Sequence, residues 1–163
     1  MKDQFNLEEA EISTRKAIKL NPNFYKSYLT LGLILKDKGN LNEAEISTRK
    51  AIQLNPKEGN AHLSLGIILR DQSKLEEAEL STCKAIKLKS TDLALCYQNL
   101  SLLMYAKGKK NLALENIEKA LSIDPISKDN KLLISTLKRR NKTKNKEIST
   151  HSNTLIHNSK FLS

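Results

Sequence analysis

The stretch EAEISTRKAIKLNP, residues 9–22, recurs almost unchanged as EAEISTRKAIQLNP at residues 43–56. The two copies lie 34 residues apart and differ only in having Lys19 or Gln53. A third copy, EAELSTCKAIKLKS, occupies residues 77–90, and a fourth, LALENIEKALSIDP, occupies residues 112–125 after one additional residue. Such self-similarity is typical of a chain built from stacked copies of one supersecondary unit. We expect the additional residue near residues 89–92, in a loop between units.

A second periodic segment lies between these copies. It reads YLTLGLILKDKGNLNEA at residues 28–44 and recurs at residues 62–78 and 97–113. Each unit is therefore predicted to be two amphipathic helices. Their turns are marked by Gly39-Asn40, Gln72-Ser73 and Lys107-Gly108, because such residues punctuate helices. Pro56 and Pro125 separate successive pairs, since proline cannot continue a helix.

The spacing of small and large residues resembles the tetratricopeptide repeat. The matching positions are Tyr28, Leu31, Gly32, Leu35, Gly39, Ala44, Ala51 and Pro56 in one unit, His62, Leu65, Gly66, Leu69, Ala78 and Ala85 in the next, and Tyr97, Leu100, Ser101, Gly108, Ala113, Ala120 and Pro125 in the third. The resemblance implies an all-α fold, a right-handed α-solenoid of stacked antiparallel helix pairs with a 34-residue period. Physically, helices approach within about 8–10 Å where small side chains meet, which predicts that Gly32 and Ala44 lie at the crossing within a unit.

This register divides the chain into four parts. Residues 1–22 form an incomplete first repeat with the second helix only, and residues 23–125 form three tetratricopeptide units. Residues 126–140 are predicted to be a C-terminal capping helix, and residues 141–163 a basic, disordered tail. The incomplete repeat has three explanations: a fragment of a longer repeat protein, self-association through the uncovered face, or a helix that frays.

Charge and composition exclude several classes of protein. The net charge is +10, but residues 126–163 contain nine Lys or Arg and two acidic residues, a net charge of +7. The repeats are thus nearly balanced, and no aromatic residue is interleaved with the tail's cluster to stack on bases, so nucleic acid is a disfavoured partner. No apolar run approaches the roughly 18 residues of a membrane helix. Two cysteines and no visible export signal indicate a cytoplasmic protein.

The resemblance also implies a partner-binding surface. In the tetratricopeptide family the first helix of each unit lines a concave groove, which could accept a peptide or a helix. Carried over by position, the groove residues are Lys26, Leu29, Thr30, Leu33 and Lys36, then Asn60, Leu63, Ser64, Ile67 and Arg70, and finally Leu95, Gln98, Asn99, Leu102 and Tyr105. The alternative is that the leucines and isoleucine of this set only pack the helices together.

Two subtypes of the family make different predictions for this groove. The clamp that grips a C-terminal carboxylate is absent, because leucine and isoleucine occupy its positions, Leu29, Leu33, Leu63 and Ile67. The asparagine ladder of O-linked N-acetylglucosamine transferases is matched only in part, since Thr30, Ser64 and Asn99 stand on that line.

These observations predict a non-catalytic scaffold that binds a protein or peptide, without cofactor or metal. His62, His151 and His157 have no Cys or carboxylate at ligand or triad spacing, so we expect no catalytic residues. One alternative is an accessory region of a larger glycosyltransferase, sulfotransferase or methyltransferase. A weaker alternative is nucleic-acid binding by the basic tail.

Overall fold

The computed structural model describes the backbone of residues 2–139 and the side chains of residues 6–139. This part of the chain consists of helices and short connections, without a strand. The helices are α1 (Lys2–Leu20), α2 (Tyr25–Asp37), α3 (Leu41–Leu54), α4 (Gly59–Asp71), α5 (Leu75–Lys87), α6 (Leu93–Ala106), α7 (Lys110–Ile123) and α8 (residues 128–139).

The helices pack as three pairs that stack side by side. The tightest packing is within the pairs α2–α3, α4–α5 and α6–α7, and each second helix then contacts the first helix of the next pair. The first helices also contact one another, α2 with α4 and α4 with α6. The predicted all-α solenoid of antiparallel helix pairs is confirmed. Its core is a series of thin layers between neighbouring helices. Such layers can be filled without large aromatic side chains, and the chain has no tryptophan.

Small residues allow the two helices of a unit to approach closely. Ala44 and Ala51 on α3 are fully buried, as are their equivalents Ala78 and Ala85 on α5. A Cβ added to Gly32 would overlap the Thr48 hydroxyl and lie 3.2 Å from the Ala44 carbonyl oxygen. The predicted crossing of Gly32 and Ala44 is therefore present, because the backbones meet where glycine leaves room.

The turn within each unit ends the first helix in the same way. Gly39, Ser73 and Gly108 are equivalent residues with φ of 81°, 62° and 75°. In the first turn Gly39 N–H donates to the Lys36 carbonyl and Asn40 N–H to the Leu35 carbonyl. This is the Schellman arrangement, in which a left-handed residue satisfies the last carbonyls of a helix. Ser73 adopts this conformation although it carries a Cβ.

The additional residue of the third unit lies in the loop between α5 and α6. Lys89, with φ of 54°, ends α5 by donating its N–H to the Ile86 carbonyl. Ser90 then turns inward and is buried against Gly59, whose added Cβ would lie 2.8 Å from the Ser90 Cα. The additional residue is thus accommodated by the left-handed conformation of Lys89 at the end of α5. The equivalent connection between α3 and α4 has no such residue, and Asn55 there has φ of −138°.

Ion pairs along one edge connect successive units. Lys38 contacts Glu11 at 2.8 Å and Lys107 contacts Glu79 at 2.7 Å, so in each case the turn of one unit reaches the second helix of the preceding unit. Hydrogen bonds from Lys38 and Arg15 lower the pKa of Glu11. The four side chains are half-buried, and the two pairs tie each turn to the second helix of the preceding unit.

Helix α1 exposes a face that every complete unit covers. Ala10, Thr14 and Ala17 are the counterparts of the buried Ala44, Thr48 and Ala51, yet Ala17 is exposed and the other two are half-buried. At the other end, Leu137 and Asn130 of α8 are buried. The predicted tail, residues 141–163, lies outside the described residues.

We predict that Gly32→Ala destabilises the fold by about 1–3 kcal/mol, the usual cost of overpacking. This cost exceeds the gain of up to about 1 kcal/mol that alanine brings to a helix interior. Urea unfolding followed by circular dichroism measures the change. Combining Gly32→Ala with Thr48→Ala removes the overlapping hydroxyl, so the double variant should lose less stability than the sum of the two single losses. Strict additivity would contradict this account of the crossing.

Two equivalent threonines should respond oppositely to the same substitution. Within residues 6–139, the buried Thr48 hydroxyl has no hydrogen-bond partner, whereas Thr82 donates to the Ala78 carbonyl at 2.8 Å and accepts from Asn99 at 2.8 Å. An unsatisfied buried polar group costs about 1–3 kcal/mol. Thr48→Val is therefore expected to raise the free energy of unfolding by about 1 kcal/mol, and Thr82→Val to lower it. Changes of the same sign in the urea midpoint would refute the assignment.

Candidate functional site

The first helices α2, α4 and α6 share one side of the solenoid, which we call the first-helix face. On α2, Lys26, Thr30 and Leu33 are exposed, with 40% of Leu33 accessible. Leu29 is half-buried between them. Since α2 belongs to the first complete unit, it has only α1 on one side, and its predicted groove residues therefore reach solvent.

Helix α4 is packed more deeply than the sequence indicated. Leu63 is 4% exposed and packs in a cluster with Ala85 and Cys96. Ser64 is also buried and donates its hydroxyl to the Asn60 carbonyl at 2.9 Å. The cause is that α4 has first helices on both sides, α2 and α6. Leu63 and Ser64 therefore form packing contacts and present almost no area to a partner.

Asn99 is a structural residue in this structure. It is 1% exposed, donates to the Thr82 hydroxyl and accepts from the Arg70 guanidinium at 2.6 Å. Arg70 also contacts Asp71 at 2.7 Å. These bonds connect the edge of the face to the helix crossing of the second unit. The amide that resembles one position of an asparagine ladder is thus engaged inside the protein.

The remaining predicted residues form a half-exposed surface. Ile67 on α4 and Leu102 on α6 are half-buried, and they continue the apolar row of Leu29 and Leu33. Lys36 contacts Asp37 at 2.9 Å, and Asn60 is bonded to the loop at Thr91 at 2.8 Å. The others of the predicted set that are half-buried are Leu95, Gln98 and Tyr105. Leu29, Ile67 and Leu102 thus keep part of their surface in solvent, as Leu33 does.

Sequence analysis missed the extension of this face onto α1. A shallow pocket of about 250 Å³ lies between α1 and α2, and it includes Phe24, which is 45% exposed. Its lining residues are Ser13, Thr14, Ala17, Phe24, Lys26, Ser27 and Thr30. The repeat pattern of the sequence could have indicated this pocket. Small residues on α1 stand at positions that a first helix covers in the complete units, and without that helix they border open space.

The opposite side also carries a feature that sequence analysis missed. Ile12, Ile46 and Leu80 are 69%, 70% and 72% exposed on α1, α3 and α5. Their regular spacing of 34 residues was visible in the sequence. Large apolar residues at helical spacing ordinarily belong to the core, so the sequence alone does not indicate that these three are exposed.

The two cysteines are both reduced and shielded from solvent to different degrees, Cys96 being buried and Cys83 half-buried. Burial raises the pKa of both cysteine thiols, Cys83 and Cys96, and so disfavours the reactive thiolate. Within residues 6–139, no group of three or more His, Cys, Asp or Glu side chains is placed to hold a metal ion. Among the described helices, none is long and apolar enough to cross a membrane.

Comparison with known proteins identifies the repeat unit. The profile of the tetratricopeptide repeat matches residues 25–58 and 94–127, which correspond to the first and third helix pairs. No curated protein sequence matches the chain.

Solved structures share the architecture at low sequence identity. PilF of Pseudomonas aeruginosa superposes with a TM-score of 0.78 at 21% identity, over 86% of this chain and 64% of PilF. MamA superposes with a TM-score of 0.73 at 24% identity, over 98% of this chain and 92% of MamA. YrrB, a tetratricopeptide protein described as having an unusual peptide-binding site, gives a TM-score of 0.67 at 18% identity, over 76% of this chain and 63% of YrrB. At these identities the likeness establishes the fold alone, and this chain spans less than two thirds of PilF.

We predict that His62 makes stability depend on pH. Burial lowers the pKa of His62, whose Nε2 lies 3.0 Å from the Pro56 carbonyl oxygen. The unfolded chain then binds a proton more readily, near pH 6.5. Stability is therefore full above that pH and falls as the pH drops through it. The control is His62→Tyr, which introduces the residue found at the equivalent positions 28 and 97. From about pH 7.5 to about pH 5.5, a range that brackets the pKa of histidine in the unfolded chain, the urea midpoint of wild type should decline more steeply than that of His62→Tyr. Parallel declines would contradict the assignment.

Proposed function

Because this chain carries tetratricopeptide repeats, we propose that it is a non-catalytic scaffold that binds a peptide segment of a partner protein on the first-helix face. The observation that carries this proposal is the apolar stripe of Leu29, Leu33, Ile67 and Leu102. Leu33 leaves 40% of its surface in solvent, although the fold gains little from an exposed leucine at this position.

The chemistry of the face favours a peptide with apolar anchors and acidic flanks. Lys26 is exposed and forms no ion pair among the described residues, and Arg70 stands at the edge of the stripe. Exposed apolar side chains can enter the pockets of such a surface, and charges at its rim mainly set orientation and association rate. The likeness to YrrB supports this type of partner, since that protein is described as having a peptide-binding site.

The other functions considered from the sequence have less support. An accessory role in a larger enzyme depends on residues beyond this chain. Nucleic-acid binding depends on the basic tail, which lies outside the described residues. Self-association through α1 stays a prediction, and it is supported by the exposed Ala17 and the half-buried Thr14.

We predict that Leu33→Asp weakens the binding affinity for a peptide on the first-helix face at least tenfold, which is about 1.4 kcal/mol of binding free energy. Peptides selected from a random library against the wild-type chain would be titrated by isothermal calorimetry. Ile126→Asp is the matched control, because it puts the same charge at an apolar residue that is 83% exposed in the connection between α7 and α8, outside both the first-helix face and the row of exposed apolar residues on the second helices. Its affinity for the selected peptide should equal that of wild type.

Both substitutions lie on exposed surfaces, so circular dichroism and the urea midpoint should stay close to wild type. Equal affinity of wild type and Leu33→Asp for every selected peptide would rule out the first-helix face as the binding surface.

A further inference from the structure

The second helices α1, α3 and α5 carry an exposed apolar row of Ile12, Ile46 and Leu80, which we call the second-helix row. Each residue exposes about 70% of its surface. Scattered surface leucines need no explanation, but these three residues occupy the same repeat position on successive second helices. The row is independent of the first-helix face because it lies on different helices and on the other side of the solenoid.

Each interval between these helices contains the same shallow pocket. One pocket, of about 480 Å³, lies among α1, α2 and α3, and the other, of about 490 Å³, lies among α3, α4 and α5. Ile18, Leu31 and Ile46 line the first, and their counterparts Ile52, Leu65 and Leu80 line the second. Two pockets of equal size with equivalent linings make this surface a repeated site.

The pockets open because of how the units stack. The first helices contact one another directly, whereas no comparable contact joins α1 with α3 or α3 with α5. The second helices are instead joined across a gap by the ion pairs Arg15–Glu43 and Arg49–Glu77. The gaps expose the side of the first helices at Tyr28 and His62, which form part of the pocket linings.

The rim of the row is basic, and its lysines lack acidic partners. Arg15 and Arg49 are each neutralised by two glutamates. Lys50 and Lys84, at equivalent rim positions, form no ion pair within residues 6–139. Lys50 donates to the neutral Gln53 side-chain oxygen at 3.0 Å, and Glu77, which also lines the second pocket, pairs with Arg49 at 3.0 Å. Among the described residues, neither lysine is therefore neutralised by a carboxylate.

The third interval, between α5 and α7, shows which group such a ligand would supply to a lysine. There Glu115 occupies the position of Ile46 and Leu80, and it contacts Lys119, the counterpart of Lys50 and Lys84, at 2.6 Å. The Lys119 ammonium also lies 5.9 Å from the centre of the Tyr97 ring. In this interval the chain itself provides a carboxylate to the lysine, and the apolar row ends.

We propose that the second-helix row binds an extended acidic segment of another protein. Two apolar side chains of the segment enter the two pockets, and its carboxylates pair with Lys50 and Lys84. Residues four apart in an extended chain lie on the same side, about 13 Å from each other. The two pockets lie in successive repeat units, and residues four apart in a helix are only about 6 Å from each other along the axis.

The probe for this surface is the fluorescein-labelled peptide EDLEDELDE, whose leucines are four residues apart. Fluorescence anisotropy with the full chain, at about 0.15 M salt to screen non-specific attraction, should give saturable binding. Ile46→Ser with Leu80→Ser should weaken the affinity at least tenfold, and so should Lys50→Glu with Lys84→Glu. The peptide EDSEDESDE, with the same charge and no leucine, should not compete.

Matched controls lie elsewhere on the surface. Ile126→Ser removes an apolar residue that is 83% exposed, and Lys57→Glu with Lys109→Glu reverses two exposed lysines outside the row. Both controls, and Leu33→Asp on the first-helix face, should bind the probe like wild type. Loss of affinity with Leu33→Asp alone would assign the peptide to the other face and overturn this proposal without affecting the proposed function.

Two further results would also overturn it. One is equal binding of the leucine and serine peptides, which would indicate attraction to the net positive charge only. The other is a titration that does not saturate up to about 1 mM protein, which corresponds to a binding free energy weaker than about −4 kcal/mol.

Discussion

The close approach of two helices at Gly32 and Thr48, repeated at Gly66 and Thr82, is the contact on which the solenoid depends. An added Cβ at either glycine would overlap the facing threonine. This proximity lets the alanines of α3 and α5 become fully buried, so each unit is held by backbone proximity more than by large side chains. A thin layer of this kind cannot stand alone, and the units must therefore stack.

Stacking has different consequences on the two sides. The first helices touch, so α4 is enclosed by α2 and α6, and Leu63, Ser64 and Asn99 become part of the interior. The second helices stand apart, and the gaps become pockets bordered by apolar residues. One packing arrangement thus reduces the area that the first-helix face offers and creates a second surface with repeat symmetry.

Charge organises the edges of this arrangement. The glutamates at the start of α3 and α5 are favoured there by the positive end of the helix dipole, and they also pair with Arg15, Arg49 and Lys107 of neighbouring units. Near-identical copies of one segment make these bonds periodic. Where the copies diverge, at Cys83 and Glu115, the pattern of arginine pairs and exposed apolar residues stops.

The sequence by itself determined the architecture. The 34-residue identity, the small residues at the crossing and the turn residues specify paired helices, since each is a local requirement of helix geometry.

The accessible part of the candidate site followed only from tertiary structure. Leu29, Leu33 and Leu63 look alike in sequence, yet Leu63 is buried and Leu33 is exposed, because α4 has a first helix on each side and α2 has one only on the α4 side. Likewise, the equivalent threonines 48 and 82 differ because only the second faces an asparagine. Burial and hydrogen bonding depend on what a neighbouring unit supplies, and a repeat pattern does not contain that information.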